Sequence, residues 1–146
     1  RLAFAAGNEQ MIEALNLIQD HLFVGIFPAL QEAGIAALLD PKSEEAVAQL
    51  NATYDSRRDA FVQAAAKIGW KAFPSKGSFY AWMPVPEGYT SESFADLLLE
   101  KVHVAVAPGK GFGPAGDAYV RIGLLVEPER LVEAVDRIAN LHLFNN

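Results

Sequence analysis

The 146-residue chain contains no cysteine. This absence excludes a disulfide framework, a thiolate metal site and a cysteine nucleophile, and it is compatible with a reducing cytoplasm. The three histidines, His21, His103 and His142, stand far apart, and none has a second histidine or a carboxylate at ligand spacing. We therefore expect a cytoplasmic protein with no metal site.

Basic residues are few and never form a run. Lys and Arg total 12 against 18 Asp and Glu, which gives a net charge of -6. This balance argues against nucleic acid or an anionic membrane surface as a partner. Long apolar runs are also absent, because His21, Glu32 and Asp40 interrupt the most apolar region before it reaches the roughly 20 residues of a membrane span. The first residues do not resemble a signal peptide, so we expect a soluble protein.

Hydrophobic residues make up 51% of the chain, enough to fill the core of one ordinary domain. Capping residues and prolines predict five helices, of which the third runs to Gly69. The predicted helix starts are, in chain order, Asn8, Pro28, Ser43, Thr90 or Ser91, and Pro128. The opening segment RLAFAA predicts a short buried strand over residues 1–6.

After Gly69 the pattern becomes alternating and typical of strands. The segments WKAF, SFYAWMP, VHVAVA and YVRIGL predict four strands. In the second, Phe79, Ala81 and Met83 are predicted on one face and Tyr80 and Trp82 on the other. Residues 70–146 therefore predict the order β-β-α-β-β-α. We assign the chain to the α+β class.

Two segments before residue 70 are unusual for a single small domain. Residues 23–39 are apolar or small on every side apart from Glu32, which predicts a helix covered all round or pressed against another chain. The long helix from Ser43 repeats an apolar residue every seven positions, and its length favours a role as a bridge between two bodies. Its apolar positions are Val47, Leu50, Tyr54, Phe61 and Ile68.

The glycine-rich loop from Pro108 runs directly into a strand that carries Arg121 between Val120 and Ile122. An unpaired charge in such a strand is costly, so the guanidinium requires an anion, and its planar donors suit a carboxylate. The residues alone leave two hypotheses open. The anion is either one of the chain's own 18 acidic residues or the carboxylate of a ligand.

Other chemistry has little support in the sequence. The loop GKGFGPAG lacks the GxxxxGK[ST] spacing of a phosphate-binding loop, and it leads into a strand where a dinucleotide fingerprint leads into a helix. No GxSxG nucleophile motif is present. The glycines more simply permit tight turns and a close approach of the backbone to a ligand or a neighbouring element.

Three linked motifs carry a resemblance to a known family. They are KGSFYAWMPVPEG, FADLLLEKVHVAVAPGKGFGPAGDAYVRIGL and PERLVEAVDRI, in matching order and spacing over essentially the whole chain. Together they resemble the C-terminal part of class I/II, fold-type I aminotransferases that depend on pyridoxal 5'-phosphate. The segments NLIQDHLFVGIF and PVPEGYTSESFADLLLEK are similar to the branch that serves bacterial methionine salvage and aminates a thioether 2-oxo acid.

The resemblance implies roles for particular residues. Arg121 would bind the α-carboxylate of the amino-acid substrate, Phe112 would lie near the substrate side chain, and Arg1 would hold the cofactor phosphate. The family exchanges an amino group between an amino acid and a 2-oxo acid, and its full-length members are expected to be homodimers. The expected fold is a small domain with a short, antiparallel-rich sheet and flanking helices at 70–146. An interdomain helix at 42–69 and a remnant of the large cofactor-binding domain at 1–41 precede it.

The family's Schiff-base lysine and the aspartate that pairs with the pyridine nitrogen lie upstream of the position of Arg1. We therefore expect a C-terminal fragment that supplies the substrate-carboxylate arginine, contains no catalytic lysine, is inactive alone and binds no cofactor. These motifs do not distinguish transamination from decarboxylation or side-chain elimination with the same cofactor. A non-catalytic α+β module that binds small carboxylates, in a binding or regulatory role, is the alternative.

Overall fold

The computed structural model describes residues 2–73 and 75–144. Its helices and strands are, in chain order, α1 Glu9–Ile18, α2 Pro28–Leu39, α3 Ser43–Lys67, β1 Tyr80–Pro84, α4 Ser91–Val102, β2 Ala107–Pro108, β3 Tyr119–Gly123 and α5 Pro128–Ala139. Contacts group these residues into two compact units, with the boundary between Ala48 and Gln49, inside α3. We describe each unit separately.

The first unit contains α1, α2 and the start of α3. Asn8 caps α1 as predicted, because its side-chain oxygen accepts a hydrogen bond of 3.3 Å from the Met11 N–H. A five-residue π-helical turn, Gln19–Phe23, continues α1. Helix α2 begins at Pro28 as predicted, and Asp40 ends it in an extended conformation.

The strand predicted over residues 1–6 is wrong for the described part of that segment. Residues 2–6 form neither a strand nor a helix. A strand needs a neighbour to satisfy its backbone N–H and C=O groups, and the described residues of the first unit contain none. No described side chain between residues 2 and 48 is buried, and Phe4 is 91% exposed.

The second unit is built on a three-stranded antiparallel sheet in the order β1-β3-β2. Trp82 of β1 and Ala107 of β2 lie on either side of Arg121 of β3. Burial alternates along β1 and β3, so Met83 and Val120 face the core while Trp82 and Arg121 lie on the opposite face. The predicted alternation is confirmed for Ala81 and Met83, which are buried. It is wrong for Phe79, which precedes β1 and is 39% exposed, because the strand begins only at Tyr80.

The core lies between the inner face of the sheet, the C-terminal half of α3, α4 and α5. Trp70 is 1% exposed, its indole N–H donates a hydrogen bond of 2.8 Å to the Pro84 carbonyl, and its ring stacks on Phe144 at 5.0 Å. The apolar repeat of α3 is buried only in its second half, since Phe61 is buried and Val47 is 55% exposed.

Two of the predicted strands are shorter than expected. VHVAVA contributes only Ala107 to the two-residue β2, because His103 takes a left-handed conformation with φ of 57° to end α4. Val104 and Val106 then pack partly buried against the core outside any strand. WKAF makes only one bridge, between Phe73 and Trp82. The helices α3, α4 and α5 begin at the predicted positions.

Candidate functional site

Arg121 lies in the middle of β3 and is half-buried. Its neighbours Val120 and Ile122 point into the core, so the period-2 alternation of a strand directs Arg121 to the other face of the sheet. The same face carries Tyr80 and Trp82 of β1 and Tyr119 of β3. This aromatic face is the setting of the candidate site.

No acidic side chain in the described residues forms an ion pair or hydrogen bond with Arg121. Instead, the guanidinium carbon lies 4.0 Å from the ring centroid of Tyr80 and 4.0 Å from that of Phe112. Aromatic faces attract a cation but do not neutralise it. Of the two hypotheses drawn from the sequence, this geometry favours a carboxylate from outside the described residues.

Sequence reasoning singled out Arg121, Phe112 and Arg1. The structure brings Arg121 and Phe112 into contact. Arg1 lies outside the described residues. Tyr80 was missed as a partner of Arg121, although its place beside Trp82 on the outer face of β1 was the available signal.

Phe112 is held by two short 3-10 turns that precede β3, Gly109–Phe112 and Pro114–Ala118. These turns approach each other so closely that a Cβ atom on Gly109 would lie 2.1 Å from the Gly116 carbonyl oxygen. A side chain at this point would displace backbone. The glycines therefore let the loop fold back on itself next to the aromatic face.

A buried polar contact attaches this loop to the start of α4. The Ser91 hydroxyl is fully buried and donates a hydrogen bond of 2.7 Å to the Asp117 carboxylate, which also accepts one of 3.3 Å from the Ser91 N–H. The same hydroxyl accepts a hydrogen bond from the Lys110 N–H at 3.3 Å. The Ser91 hydrogen bond lowers the pKa of Asp117, and Lys110 lowers it further.

An apolar hollow of about 450 Å³ opens beside Phe112. It is lined by Phe73, Trp82, Phe112, Ala115, Gly116 and Tyr119. The Trp82 ring contacts the rings of Phe112 and Tyr119 edge to face, with centroid separations of 5.6 and 6.2 Å respectively. Because Trp82 is the cross-strand partner of Arg121, the hollow adjoins the unpaired cation. A cation beside an apolar hollow suits a small molecule with a carboxylate at one end and an uncharged chain at the other.

No lysine is among the residues that line the hollow. Lys110, in the loop, is paired with Glu92 at 2.7 Å.

The described part of the chain contains no group of three His, Asp or Glu side chains placed to hold a metal ion. No helix within residues 2–73 and 75–144 is long and apolar enough to cross a membrane.

The family model for class I and II aminotransferases matches residues 1–138, and the chain belongs to this family. It is 57% identical over 144 residues to the L-glutamine–4-(methylsulfanyl)-2-oxobutanoate aminotransferase of Bacillus subtilis (strain 168). The aligned residues make up 99% of this chain and 36% of that protein. It is 44% identical over 138 residues to the LL-diaminopimelate aminotransferase of Moorella thermoacetica, and the alignment covers 94% of this chain and 35% of that protein.

Solved structures agree with this assignment. A substrate-bound BacF structure from Bacillus subtilis matches with a TM-score of 0.87 at 43% identity, over 95% of this chain and 35% of that one. The aromatic aminotransferase of Pyrococcus horikoshii OT3 also matches with a TM-score of 0.87 at 33% identity, over 93% of this chain and 37% of that one. The chain thus spans about a third of the length of these relatives. The family resemblance and the expected fold class are confirmed.

Proposed function

We propose that this chain is the substrate-carboxylate part of a pyridoxal-phosphate-dependent aminotransferase that exchanges an amino group between an amino acid and a 2-oxo acid. The observation that carries the proposal is the unpaired guanidinium of Arg121 on an aromatic face. Family membership supplies the reaction class. The proposal divides the protein as the sequence predicted, with residues 70–146 as the small domain, 42–69 as the interdomain helix and 1–41 as part of the large domain.

Arg121 would orient the substrate through its α-carboxylate. The guanidinium presents parallel N–H donors that match the two carboxylate oxygens, and it stays charged at any working pH. Fixing the carboxylate confines the amino group to the positions reached by rotation about the bond between the carboxyl carbon and the α-carbon, which reduces the freedom lost when the substrate is aligned for reaction. The partly buried setting strengthens this ion pair compared with one in open water.

The apolar hollow would hold the substrate side chain. Its aromatic walls offer dispersion contacts to an uncharged chain and favourable sulfur–aromatic contacts to a thioether. The Bacillus subtilis relative is named for a thioether 2-oxo acid, 4-(methylsulfanyl)-2-oxobutanoate. We propose a substrate of this apolar type, with Phe112 shared between the hollow and Arg121.

The family's pyridoxal phosphate, when bound, supplies the electron sink for the reaction. The resemblance to the family implies that the Schiff-base lysine and the aspartate for the ring nitrogen lie upstream of Arg1, and we propose that both lie outside this chain. No lysine lines the hollow, which agrees with this proposal. Arg1 is proposed to reach the cofactor phosphate. The chain alone would therefore bind no cofactor and would not transaminate, and the full-length protein is proposed to be a cytoplasmic homodimer.

The test is Arg121→Ala in the full-length protein. Loss of two charge-assisted hydrogen bonds should raise the KM for the amino acid about 100-fold or more, while Arg121→Lys should recover only part of it. Arg130→Ala is the matched control, because Arg130 is an exposed arginine on α5 that pairs with Glu133. A KM that Arg121→Ala leaves unchanged would remove Arg121 from this role.

A further inference from the structure

We propose that Tyr80 is a positioning residue for Arg121, acting through its aromatic ring. Tyr80 and Phe112 together form what we call the aromatic bracket, two rings that each lie 4.0 Å from the guanidinium carbon. The inference rests on the proposed carboxylate-binding role of Arg121. It adds a residue whose function is to hold the arginine ready before the substrate arrives.

The strand register explains how Tyr80 reaches Arg121. Tyr80 lies opposite Gly123, and Trp82 lies opposite Arg121, so Tyr80 and Arg121 are diagonal neighbours within reach of a long side chain. Gly123 has no side chain to occupy the space between them. A Cβ atom built there would lie 3.8 Å from a ring carbon of Tyr80, in contact with the ring. This is an ordinary van der Waals distance, so the tyrosine ring packs against the Gly123 position while it lies over Arg121.

The bracket would leave the donor groups of Arg121 free. A guanidinium stacks on aromatic rings through its faces, whereas its five N–H groups point outward in its plane. Rings on its faces therefore exclude water without consuming a donor. They also restrict the rotamers of a long side chain, so less conformational freedom is lost when the carboxylate binds. Both effects increase affinity without contact between Tyr80 and the carboxylate.

The ring of Tyr80 is the active part, and its hydroxyl is dispensable to this role. No hydrogen bond in the described residues involves the Tyr80 hydroxyl, and the ring makes the contact with Arg121. Tyr80→Phe keeps the ring, whereas Tyr80→Leu removes it and keeps an apolar side chain. This pair of variants separates a ring effect from a hydroxyl effect.

The experiment measures the dissociation constant of 4-methylpentanoate, an unreactive apolar carboxylate, by calorimetry with the cofactor-loaded full-length protein. Tyr80→Leu should weaken binding about 2- to 30-fold, the range of one cation–π contact, and Tyr80→Phe should stay within about twofold of the wild type. Tyr89→Leu is the control, because Tyr89 is another partly exposed tyrosine whose ring contacts Phe94 and not Arg121. It should bind the carboxylate as the wild type does.

A double-mutant cycle distinguishes a positioning role from a general effect on the fold. In an Arg121→Ala background, Tyr80→Leu should cause no further loss of affinity. An equal loss in both backgrounds, or wild-type affinity in Tyr80→Leu, would overturn the positioning role while leaving the carboxylate site intact. If Arg121→Ala itself binds 4-methylpentanoate normally, the proposed function fails. If Tyr80→Leu does not fold, Tyr80→Met takes its place, because methionine keeps a long apolar side chain without a ring. The same changes in affinity are then expected for Tyr80→Met.

Discussion

The buried hydroxyl of Ser91 donates a hydrogen bond of 2.7 Å to the carboxylate of Asp117 and so attaches the start of α4 to the loop before Arg121. This bond lowers the pKa of Asp117. A carboxyl group with a lowered pKa in the folded state stabilises the fold above its unfolded pKa, about 3.9, and loses that contribution as the pH falls through its folded value.

We therefore expect Ser91→Ala to lower the urea midpoint at pH 7 and to make the decline in stability below about pH 4 shallower. Urea unfolding at pH 7, 4 and 3 measures both effects. Ser93→Ala is the control, because the hydrogen bonds of the Ser93 hydroxyl within the described part of the chain are all with Thr90, in the capping box of the same helix. Its loss of stability should be the same at each pH. A parallel response of the two variants to pH would contradict the role of Asp117.

The close approach inside the loop predicts that alanine is costly at Gly109 and tolerated at Gly111. Gly109→Ala would place a Cβ atom 2.1 Å from the Gly116 carbonyl oxygen and 2.4 Å from that of Tyr119. Because backbone must move, we expect a loss of about 1–3 kcal/mol in the free energy of unfolding. Gly111→Ala meets nothing within 4 Å and should change it by less than about 1 kcal/mol. Equal effects in urea unfolding would show that the loop adjusts freely.

The end of α4 predicts that replacement by glycine raises the free energy of unfolding at one position and lowers it at another. His103 adopts a φ of 57°, a conformation that costs a residue with a side chain roughly 1 kcal/mol. His103→Gly should therefore raise the free energy of unfolding by up to about 1 kcal/mol. Lys101→Gly, two residues earlier in the last helical turn, should lower it by about 1 kcal/mol. Thermal unfolding of both variants checks the signs, and destabilisation by His103→Gly would contradict this account.

Helix starts were predictable because their signals are local. Asn8, Pro28 and Pro128 act through their own side chains on the adjacent turn, with no help from distant residues. Strands were less predictable, since a strand exists only where a neighbour pairs with it. The segments RLAFAA and VHVAVA both have the composition of strands, yet only Ala107 of these residues pairs within the described chain.

The sequence predicted the charged residue of the candidate site, Arg121, but not its contact with the Tyr80 ring. Arg121 stood out because an arginine between Val120 and Ile122 is unusual in a strand. Its contact with Tyr80 depends on the register of β1 and β3, which places Gly123 opposite the tyrosine. No local pattern specifies that register. That no carboxylate among residues 2–73 and 75–144 pairs with Arg121 likewise emerges only from three-dimensional packing.

The two tryptophans of the chain differ in what their emission would report. Trp70 is enclosed by the core and bonded to the Pro84 carbonyl, so its fluorescence follows unfolding. Trp82 is partly exposed, stands opposite Arg121 and touches Phe112, so its fluorescence is sensitive to a molecule that enters the hollow. Replacing Trp70 by phenylalanine would make Trp82 the chain's only indole, an intrinsic optical probe built into the wall of the site.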